Sequence, residues 1–520
     1  MKLEWIKAPM GRRKFLRGAT ALGAASVLPS GMAGRAFAAD DGSLRVRTYG
    51  DAPNMDPAHS VGVVEEEIHS SIYSKLVQYK PGREWGWQMD AAAMIEQVDE
   101  THVKFALRDD VGFTNGFGAM TAEDVKFSFE RVIDPALESP LKPDFGSLSH
   151  VDVTGEREGT IVLNEPYAPL FPIALCYSVG NIVSKAAVEA AGGRIGSDPV
   201  AESGPYLRDS WSAKEKTVLK RNPDWKGEAS AWETIEVYPI DDENTAEIAF
   251  EAGELDFTRV SLGSVERYRG GVPNGGKLLE YPSLYYVWLG MNLDHPKLQN
   301  LQLRQAIQHA IDVPMLLEAS YFGAATPSTG IIAPGLPGNR PESLVPPEAN
   351  LEKAMALMSE SGESNVTLTL DILNKTTYTT MAQVIQAQLA AIGITLEINV
   401  LESGAFWASG DNEDLQLVLN RYSMAADPSY ATAWFTTEQA GIWNWERLRN
   451  EEFDKLHVQA SQISDPSGRA GLYQKAQDIM EESGAYRFIT HEATPVIHSA
   501  RVAPALRPDG LPLLRYFGKA

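Results

Sequence analysis

The chain has 520 residues and a formal net charge of −23, with 46 basic side chains against 69 acidic ones. This balance argues against nucleic acid and anionic lipid as partners, because both repel an acidic surface. A chain of this length is expected to form about two or three domains and needs no disulfides to bury its core. The single cysteine, Cys176, lies among apolar neighbours and is predicted to be a buried, inert thiol.

The first predicted element is an export signal at 1–38. Arg12 and Arg13 precede a weakly apolar stretch at 18–33, and Ala-Phe-Ala at 36–38 forms a small-x-small cleavage site. This order is typical of a twin-arginine signal peptide, so we expect export to the periplasm. No cysteine directly follows the cleavage site, so no lipid anchor is expected. The rest of the chain has no apolar run near the roughly 20 residues needed to span a membrane.

Strands and helices are mixed along the rest of the chain. Alternating apolar residues predict strands at 44–49 and 101–107. The segment 121–124 resembles a capping box and opens a helix that Asp134-Pro135 ends. An aromatic, apolar segment at 281–293 is predicted to be a strand that passes between two lobes.

The clearest supersecondary unit spans 366–400. Alternating apolar residues predict strands at 366–372 and 394–400, with a helix between them that Gly393 ends. Such a crossover builds a sheet with helices on its faces. Further helices are predicted at 302–312, 350–361 and 467–482, and a Pro- and Gly-rich loop at 325–347.

Short catalytic motifs are missing from the sequence. It contains no His-Glu-x-x-His helix, no Gly-x-Ser-x-Gly elbow, no phosphate-binding Gly-x-x-x-x-Gly-Lys and no dinucleotide fingerprint. The nine histidines are scattered, and the nearest pair, His491 and His498, lacks helical metal spacing. The sequence therefore predicts no catalytic residue, no metal ligand and no cofactor.

Seven sequence blocks, in order, resemble one family. They are Met55-Asp56-Pro57, 72–77, 105–116 with 121–129, Ser203-Gly204-Pro205-Tyr206, 303–307 with 310–312, 385–394 and Asp427-Pro428. The blocks are similar to those of the extracytoplasmic solute-binding proteins of ABC importers, family 5, which includes dipeptide-, oligopeptide- and nickel-binding proteins. The resemblance covers nearly the whole mature chain.

The resemblance implies an α/β fold of the periplasmic-binding-protein type II-like class (cluster C), a two-lobe clamp joined by two hinge strands. Lobe I is expected at 39–75, 185–289 and 486–520, an extra subdomain of lobe I at 76–184, and lobe II at 290–485. The implied partners are a small-molecule solute and the permease subunits of an ABC transporter with its cytoplasmic ATPase. The protein is expected to be a monomer that binds no nucleic acid and does not insert into the membrane.

The chain departs from the peptide-binding members in lobe II. Those members resemble Gly-Trp-x-x-Asp-x-x-(Asp/Glu)-Pro, where the first Asp binds the peptide's ammonium group. In this chain Met424 occupies the position of that Asp, and Arg421 occupies the position of the Trp. Ser403 occupies the position of a second Trp in the cleft. Because a thioether cannot pair with an ammonium ion, ordinary peptides are not the expected ligand. Arg421 in the cleft would suit a carboxylate, phosphate or sugar hydroxyls, but it could instead point outward or pair with Asp427.

The predicted ligand-binding residues come partly from this segment and partly by analogy. They are Ser60, Val61, Gly62, Leu141, Ser403, Gly404, Asn420, Arg421, Tyr422, Met424, Asp427, Trp443, Asn444 and Trp445. Core packing would explain the two tryptophans equally well. The expected solute is polar or anionic, such as an unusual peptide, a modified amino acid or a sugar conjugate. The alternatives are a metal chelate or haem-like cofactor, and an exported enzyme built on this scaffold.

Overall fold

The computed structural model of the protein describes residues 42–520, so the export signal predicted at 1–38 lies outside the described residues. The strands in this part are β1 Ser43–Thr48, β2 Ser74–Lys75, β3 Val77–Tyr79, β4 Trp87–Met89, β5 Ala92–Gln97, β6 His102–Leu107, β7 Gly112–Phe113, β8 Gly118–Ala119, β9 Leu148–Val153, β10 Glu158–Leu163, β11 Asn181–Ile182, β12 Tyr206–Ser212, β13 Lys216–Arg221, β14 Thr234–Pro239, β15 Phe257–Arg259, β16 Lys277–Met291, β17 Thr326–Pro327, β18 Thr367–Leu373, β19 Thr395–Leu401, β20 Leu417–Ser423, β21 Tyr486–His498, β22 Val502–Ala503 and β23 Gly518–Lys519. The α-helices are α1 Val63–Ile72, α2 Ala122–Ile133, α3 Lys185–Ala190, α4 Glu243–Glu251, α5 Val265–Arg269, α6 Leu301–Ala310, α7 Val313–Tyr321, α8 Leu351–Ser361, α9 Thr376–Ala390, α10 Ser403–Ser409, α11 Ser429–Thr432, α12 Glu451–Gln462 and α13 Pro466–Glu482.

An 11-stranded mixed sheet runs through the molecule in the order β12-β13-β14-β1-β15-β21-β16-β20-β18-β19, and β17 also pairs with β21. We call β12, β13, β14, β1 and β15 the lobe I half, and β20, β18 and β19 the lobe II half. In the lobe I half, β1 is parallel to β14 and β15. In the lobe II half, β18 is parallel to β19 and β20. The antiparallel strands β16 and β21 join the two halves.

The β16–β21 ladder changes register near its middle, at a bulge. Pro282 pairs with Ala493, and the next pair along β16 is Tyr286 with His491. Three residues of β16, 283–285, therefore lie opposite Glu492 alone. A second register shift follows between Val287 and Trp288, so β16 is irregular over the stretch that joins the two halves.

The locally encoded elements agree with the sequence predictions. The crossover at 366–400 forms as β18, α9 and β19, with the two strands parallel and Gly393 at a φ of 82° after the helix. Thr121 and Asp124 form a reciprocal capping box at the start of α2. Helices α6, α8 and α13 begin and end within two residues of their predicted bounds. Cys176 is buried, and burial raises the pKa of its thiol to about 12, which keeps it protonated.

Each half of the sheet has its own apolar core. The lobe I core gathers Leu44, Val46 and Trp232 around β1 and α1. The lobe II core packs α6 and α9 onto β18 through residues such as Ile307 and Ile385. Burial of these faces fixes the strands whose ends carry the polar residues described below.

Residues 76–184 contain a four-stranded antiparallel sheet in the order β5-β6-β10-β9. This segment contacts the lobe II side through hydrogen bonds. The Tyr430 hydroxyl donates to Asp144 Oδ1 at 2.6 Å, and the Tyr177 hydroxyl accepts from the Ala426 amide at 3.2 Å. Among the helices of the described part, none is long and apolar enough to cross a membrane.

Candidate functional site

The carboxyl ends of the parallel strands in the two halves face each other across the bulge. Strand β15 runs along β21 from the Phe257–His498 pair to the Arg259–Val496 pair, toward the bulge. Strand β20 runs along β16 in the opposite sense and ends with Ser423 beside Tyr285, at the bulge itself. Ligands of open α/β sheets bind outside the carboxyl ends of the strands, so the topology defines a cleft between two such edges.

A cavity of about 340 Å³ lies at the lobe II edge of this cleft. It is formed by the end of β18, the start of α9, helix α10 and the end of β20. Its lining residues are Leu373, Asn374, Lys375, Tyr378, Glu402, Ser403, Phe406, Trp407, Leu419, Asn420 and Arg421. Three of the residues predicted from the sequence, Ser403, Asn420 and Arg421, are therefore brought together here.

Arg421 is held by residues of the bulge. Its Nε and Nη2 atoms lie 2.8 Å and 2.7 Å from Glu492 Oε2, and its guanidinium carbon lies 3.5 Å from the centre of the Tyr285 ring. Burial disfavours the charged guanidinium, but the Glu492 carboxylate outweighs burial and raises the pKa of Arg421. The side chain is 30% exposed and lines the cavity, so it neither points outward nor pairs with Asp427.

Asn420 lies directly beside Arg421 with an unused donor. Its side-chain carbonyl accepts from the Arg421 amide at 2.8 Å. Its Nδ2 atom is buried and has no hydrogen-bond partner among residues 42–520. Buried amide donors are normally paired, so a polar group that reached this atom would be stabilised.

Trp407 is a cavity residue that the sequence prediction missed. Its side chain is 43% exposed, and its ring lies 6.3 Å from Tyr422 at an interplanar angle of 17°. Trp443 and Trp445 pack around it at 6.4 Å and 5.8 Å. Trp407 follows Ser403 by one turn of α10, so reading 403–409 as a helix would have placed it on the same face as Ser403.

Several predicted residues lie outside the cavity lining. Asp427 forms a buried bidentate pair with Arg469 at 2.6 Å and 2.8 Å. The Asn444 side chain is buried and bonds to the backbone of Leu448 through both of its polar atoms. Tyr422, Met424 and Trp445 are buried, Trp443 is half-buried behind Trp407, and Gly404 is exposed beside Ser403. These residues support the cavity wall or the core.

The residues predicted on lobe I lie near the start of α1. Val61 is 73% exposed, and Gly62 precedes the first turn of the helix. Ser60 is buried, and its hydroxyl lacks a hydrogen-bond partner within the described part of the chain. Ser139 Oγ donates to the Ala58 carbonyl, which brings the half-buried Leu141 close to this segment.

A second cavity, of about 450 Å³, lies at the lobe I edge of the cleft. It is lined by Arg47, Tyr49, Asp241, Asp242, Glu243, Asn244 and Arg259. These residues lie at or just after the carboxyl ends of β1, β14 and β15. None was predicted, although polar residues that directly follow parallel strands are the signal that could have indicated them. Burial, Tyr285 and Glu67 raise the pKa of Tyr49, which places Tyr49 near the bulge residue that contacts Arg421.

Comparison with known proteins identifies the class of protein that this fold and cleft define. The family model described as "Bacterial extracellular solute-binding proteins, family 5 Middle" matches residues 89–443. The chain belongs to this family, whose members are the extracytoplasmic solute-binding proteins of ABC importers.

Individual relatives are distant in sequence but similar along their whole length. Glutathione-binding protein GsiB of Escherichia coli K12 is 24% identical over 508 residues, 94% of this chain and 96% of the relative. The structure of HbpA2 from Haemophilus parasuis matches with a TM-score of 0.81 at 24% identity, covering 92% of this chain and 100% of that one. DppA from Helicobacter pylori, in complex with the peptide STSA, matches with a TM-score of 0.71 at 25% identity, covering 92% and 97%.

Proposed function

We propose that the protein is the periplasmic solute-binding component of an ABC importer and that it captures a small, polar or anionic, peptide-like solute between its lobes. The observation that carries the proposal is the placement of Arg421 in the lobe II cavity, held from behind by Glu492 and Tyr285. A guanidinium that is fixed before the ligand arrives loses little conformational freedom on binding.

Arg421 keeps donors available for a ligand. Its contacts with Glu492 use Nε and Nη2 and a single carboxylate oxygen. A guanidinium carries five N–H donors, so Nη1 and part of Nη2 can still bind a carboxylate or carbonyl oxygen.

The start of α9 favours an anion, and the acidic residue of the lining, Glu402, already accepts a hydrogen bond from Asn374 Nδ2 at 2.7 Å. Lys375 lines the cavity and forms no ion pair with any residue in 42–520. The same residue precedes α9, whose first turn receives no side-chain cap. The free N–H groups and the dipole at such a helix start attract negative charge. A ligand carboxylate placed between Arg421 and Lys375 would meet all of these groups.

The relatives support a peptide-like solute. GsiB is named as a glutathione-binding protein, and DppA is described in complex with a peptide. Met424, at the position where peptide-binding members carry an Asp, argues for a solute that does not depend on that carboxylate for its ammonium group. A modified peptide fits both observations better than an ordinary one.

Isothermal titration calorimetry with glutathione and with short α-linked peptides tests this proposal. Wild-type protein should bind at least one of these peptides, and Arg421→Gln should weaken its binding at least tenfold. Arg449→Gln is the matched control, because Arg449 pairs with Asp294 at 2.8 Å and does not line the cavity. Equal affinities for wild type and Arg421→Gln would remove Arg421 from the site.

The same titration separates peptides from metal chelates. NikZ from Campylobacter jejuni, whose structure is described in complex with Ni(L-His), shares this fold at 19% identity. Nickel–histidine is therefore the probe for the alternative ligand class. Heat released by the chelate and by none of the peptides would replace the proposed solute with a chelate.

A further inference from the structure

The lobe I cavity carries charges of both signs that are not paired with each other. Arg259 lines it, and its guanidinium forms no hydrogen bond or ion pair with any residue that the structure describes. Asp241 and Glu243 line it as well, and their carboxylates form no ion pair within the same part of the chain. Opposite charges that share a cavity without contact leave both free for a ligand that carries the complementary pair.

Arg47 is fixed within this cavity by backbone carbonyls. Its Nε donates to the Ile240 carbonyl at 2.6 Å and its Nη2 to the Asp241 carbonyl at 2.8 Å. These bonds hold the loop after β14, which carries Asp241 and Glu243, against the end of β1. The carboxylates of Asp241 and Glu243, which we call the acidic rim, and Arg259 therefore lie on a fixed edge of the sheet.

A buried carboxyl group lies close to the two arginines. Glu67 of α1 is 4% exposed, and its carboxyl group has no hydrogen bond or ion pair to any described residue. Its strongest charged neighbours are Arg259 and Arg47. Burial raises the pKa of Glu67 to about 7, so this carboxyl neutralises the two arginines only in part.

We propose that this cavity binds a free α-amino-acid head group, whose carboxylate is held by Arg259 and whose ammonium is held by the carboxylates of Asp241 and Glu243. A carboxylate alone would face the acidic rim, and an ammonium alone would face two arginines. A zwitterionic head satisfies both sets of charges. Arg259 is then a specificity-determining residue.

This inference rests on the proposed function above and narrows its solute class. In an α-linked peptide the ammonium and the terminal carboxylate lie at opposite ends, and the side-chain carboxylate of a first-residue glutamate lies two methylene groups beyond the α-carbon. A peptide joined through the γ-carboxyl of glutamate keeps the ammonium and a carboxylate on the same α-carbon. We expect a γ-linked peptide to place this head group at Arg259, and its second carboxylate is the group that Arg421 of the other cavity would bind.

Calorimetry with two isomeric tripeptides tests the inference. Glutathione, γ-Glu-Cys-Gly, and its isomer α-Glu-Cys-Gly have the same atoms and the same net charge. Wild-type protein should bind the γ isomer at least tenfold more tightly, and N-acetylation of glutathione should lower its affinity at least tenfold. Arg259→Gln should remove the preference for the γ isomer by weakening only that isomer.

Two further variants control for folding and for the other cavity. Arg221→Gln changes an exposed arginine at the end of β13. The end of β13 pairs with the amino-terminal end of β14, so Arg221 lies at the edge of the sheet opposite to the cavity. This variant should keep the preference for the γ isomer. Arg259→Lys keeps the positive charge and should restore part of the preference for the γ isomer. Arg421→Gln should instead weaken the binding of both isomers to a similar extent.

The outcomes separate this inference from the proposed function. Binding of both isomers with equal affinity, or an unchanged preference in Arg259→Gln, would overturn the lobe I head-group site while the importer function stands. Full affinity for the N-acetylated peptide would overturn the role of the acidic rim. Binding of no peptide at all by wild-type protein would overturn both proposals.

Discussion

Arg421 Nη2 lies 2.7 Å from Glu492 Oε2, and this ion pair ties the end of β20 to the residue of β21 that lies opposite the bulge of β16. The pair connects a cavity residue of lobe II with the strand that continues into lobe I. It positions the guanidinium and at the same time fixes the cavity relative to the hinge.

Removing the Glu492 charge should therefore destabilise the protein. Glu492→Gln leaves a partly buried guanidinium without its counter-ion, and we expect a loss of about 2 kcal/mol in the free energy of unfolding. Urea unfolding measures it. Glu280→Gln is the matched control, because Glu280 lies on β16 and also pairs with an arginine, but its side chain is 34% exposed against 18% for Glu492, so the change should cost less than about 1 kcal/mol. Equal losses for the two variants would show that the Arg421 pair is an ordinary surface ion pair.

Asp427 should affect folding rather than binding. Its bidentate pair with Arg469 is buried on both sides, so Asp427→Asn leaves a buried uncompensated cation and should cost about 3 kcal/mol or more. The affinity of the folded variant for its peptide should stay within about twofold of wild type, since Asp427 does not line the cavity. Chemical unfolding measures the stability of the variant, and calorimetry on the same preparation measures its affinity. A large loss of affinity at unchanged stability would show that Asp427 binds the ligand.

Trp407 and Trp445 should give opposite results. Trp407→Ala removes an exposed cavity wall and should weaken binding by about 1 kcal/mol, roughly fivefold in Kd, with a small effect on stability. Trp445→Ala empties a core position that is 1% exposed and should cost about 3 to 5 kcal/mol of stability. The prediction fails if Trp407→Ala binds like wild type.

Glu446 should make stability depend on pH. Its side chain is fully buried and its Oε1 accepts from Trp288 Nε1 at 2.7 Å, and burial raises its pKa from 4.5 to about 7. Because the folded state holds this proton more tightly than the unfolded state, the contribution to stability is complete below pH 4.5 and is lost as pH rises through about 7.

The matched variant for this titration is Glu446→Gln, which keeps the shape of the side chain and removes the proton exchange. Its unfolding free energy relative to wild type should rise by on the order of 3 kcal/mol between pH 4.5 and pH 8. Burial lowers the pKa of His491 to about 4, so this residue makes the unfolding free energy rise with pH. Both proteins carry His491, so its contribution cancels in the difference between them. Parallel pH curves for the two proteins would contradict the prediction.

Export should depend on the arginine pair at the start of the chain. Replacing Arg12 and Arg13 together by lysine should keep the protein in the cytoplasm, because the twin-arginine pathway requires that pair. Cell fractionation and immunoblotting measure the distribution, with the single change Lys7→Arg as the control. Undiminished periplasmic protein in the double variant would exclude this route.

The elements that the sequence revealed are those with a local pattern. The crossover at 366–400 and the capping box at 121–124 depend on residues a few positions apart, so apolar spacing and side-chain chemistry were enough to predict them. The strand predicted at 281–293 forms as β16 for a similar reason, since it is a long aromatic and apolar run.

The site was predictable only in part, because its partners are distant along the chain. Arg421 was expected to face the cleft or to pair with nearby Asp427, but its counter-ion, Glu492, is 71 residues away and is brought close by the register of β20, β16 and β21. Arg259 and Arg47 meet through parallel pairing of strands that are far apart in sequence. No local spacing encodes either arrangement.

The bulge at 283–285 also interrupts the pairing of the two strands that join the halves. Two of its backbone groups bond away from β21, with the Leu284 carbonyl accepting from the Met424 amide at 2.9 Å and the Tyr285 amide donating to Ser283 Oγ at 3.0 Å. We propose that the cleft closes by rotation at this stretch, where the two strands share fewest bonds. Solute contacts made only in the shut form would then shift the population toward it.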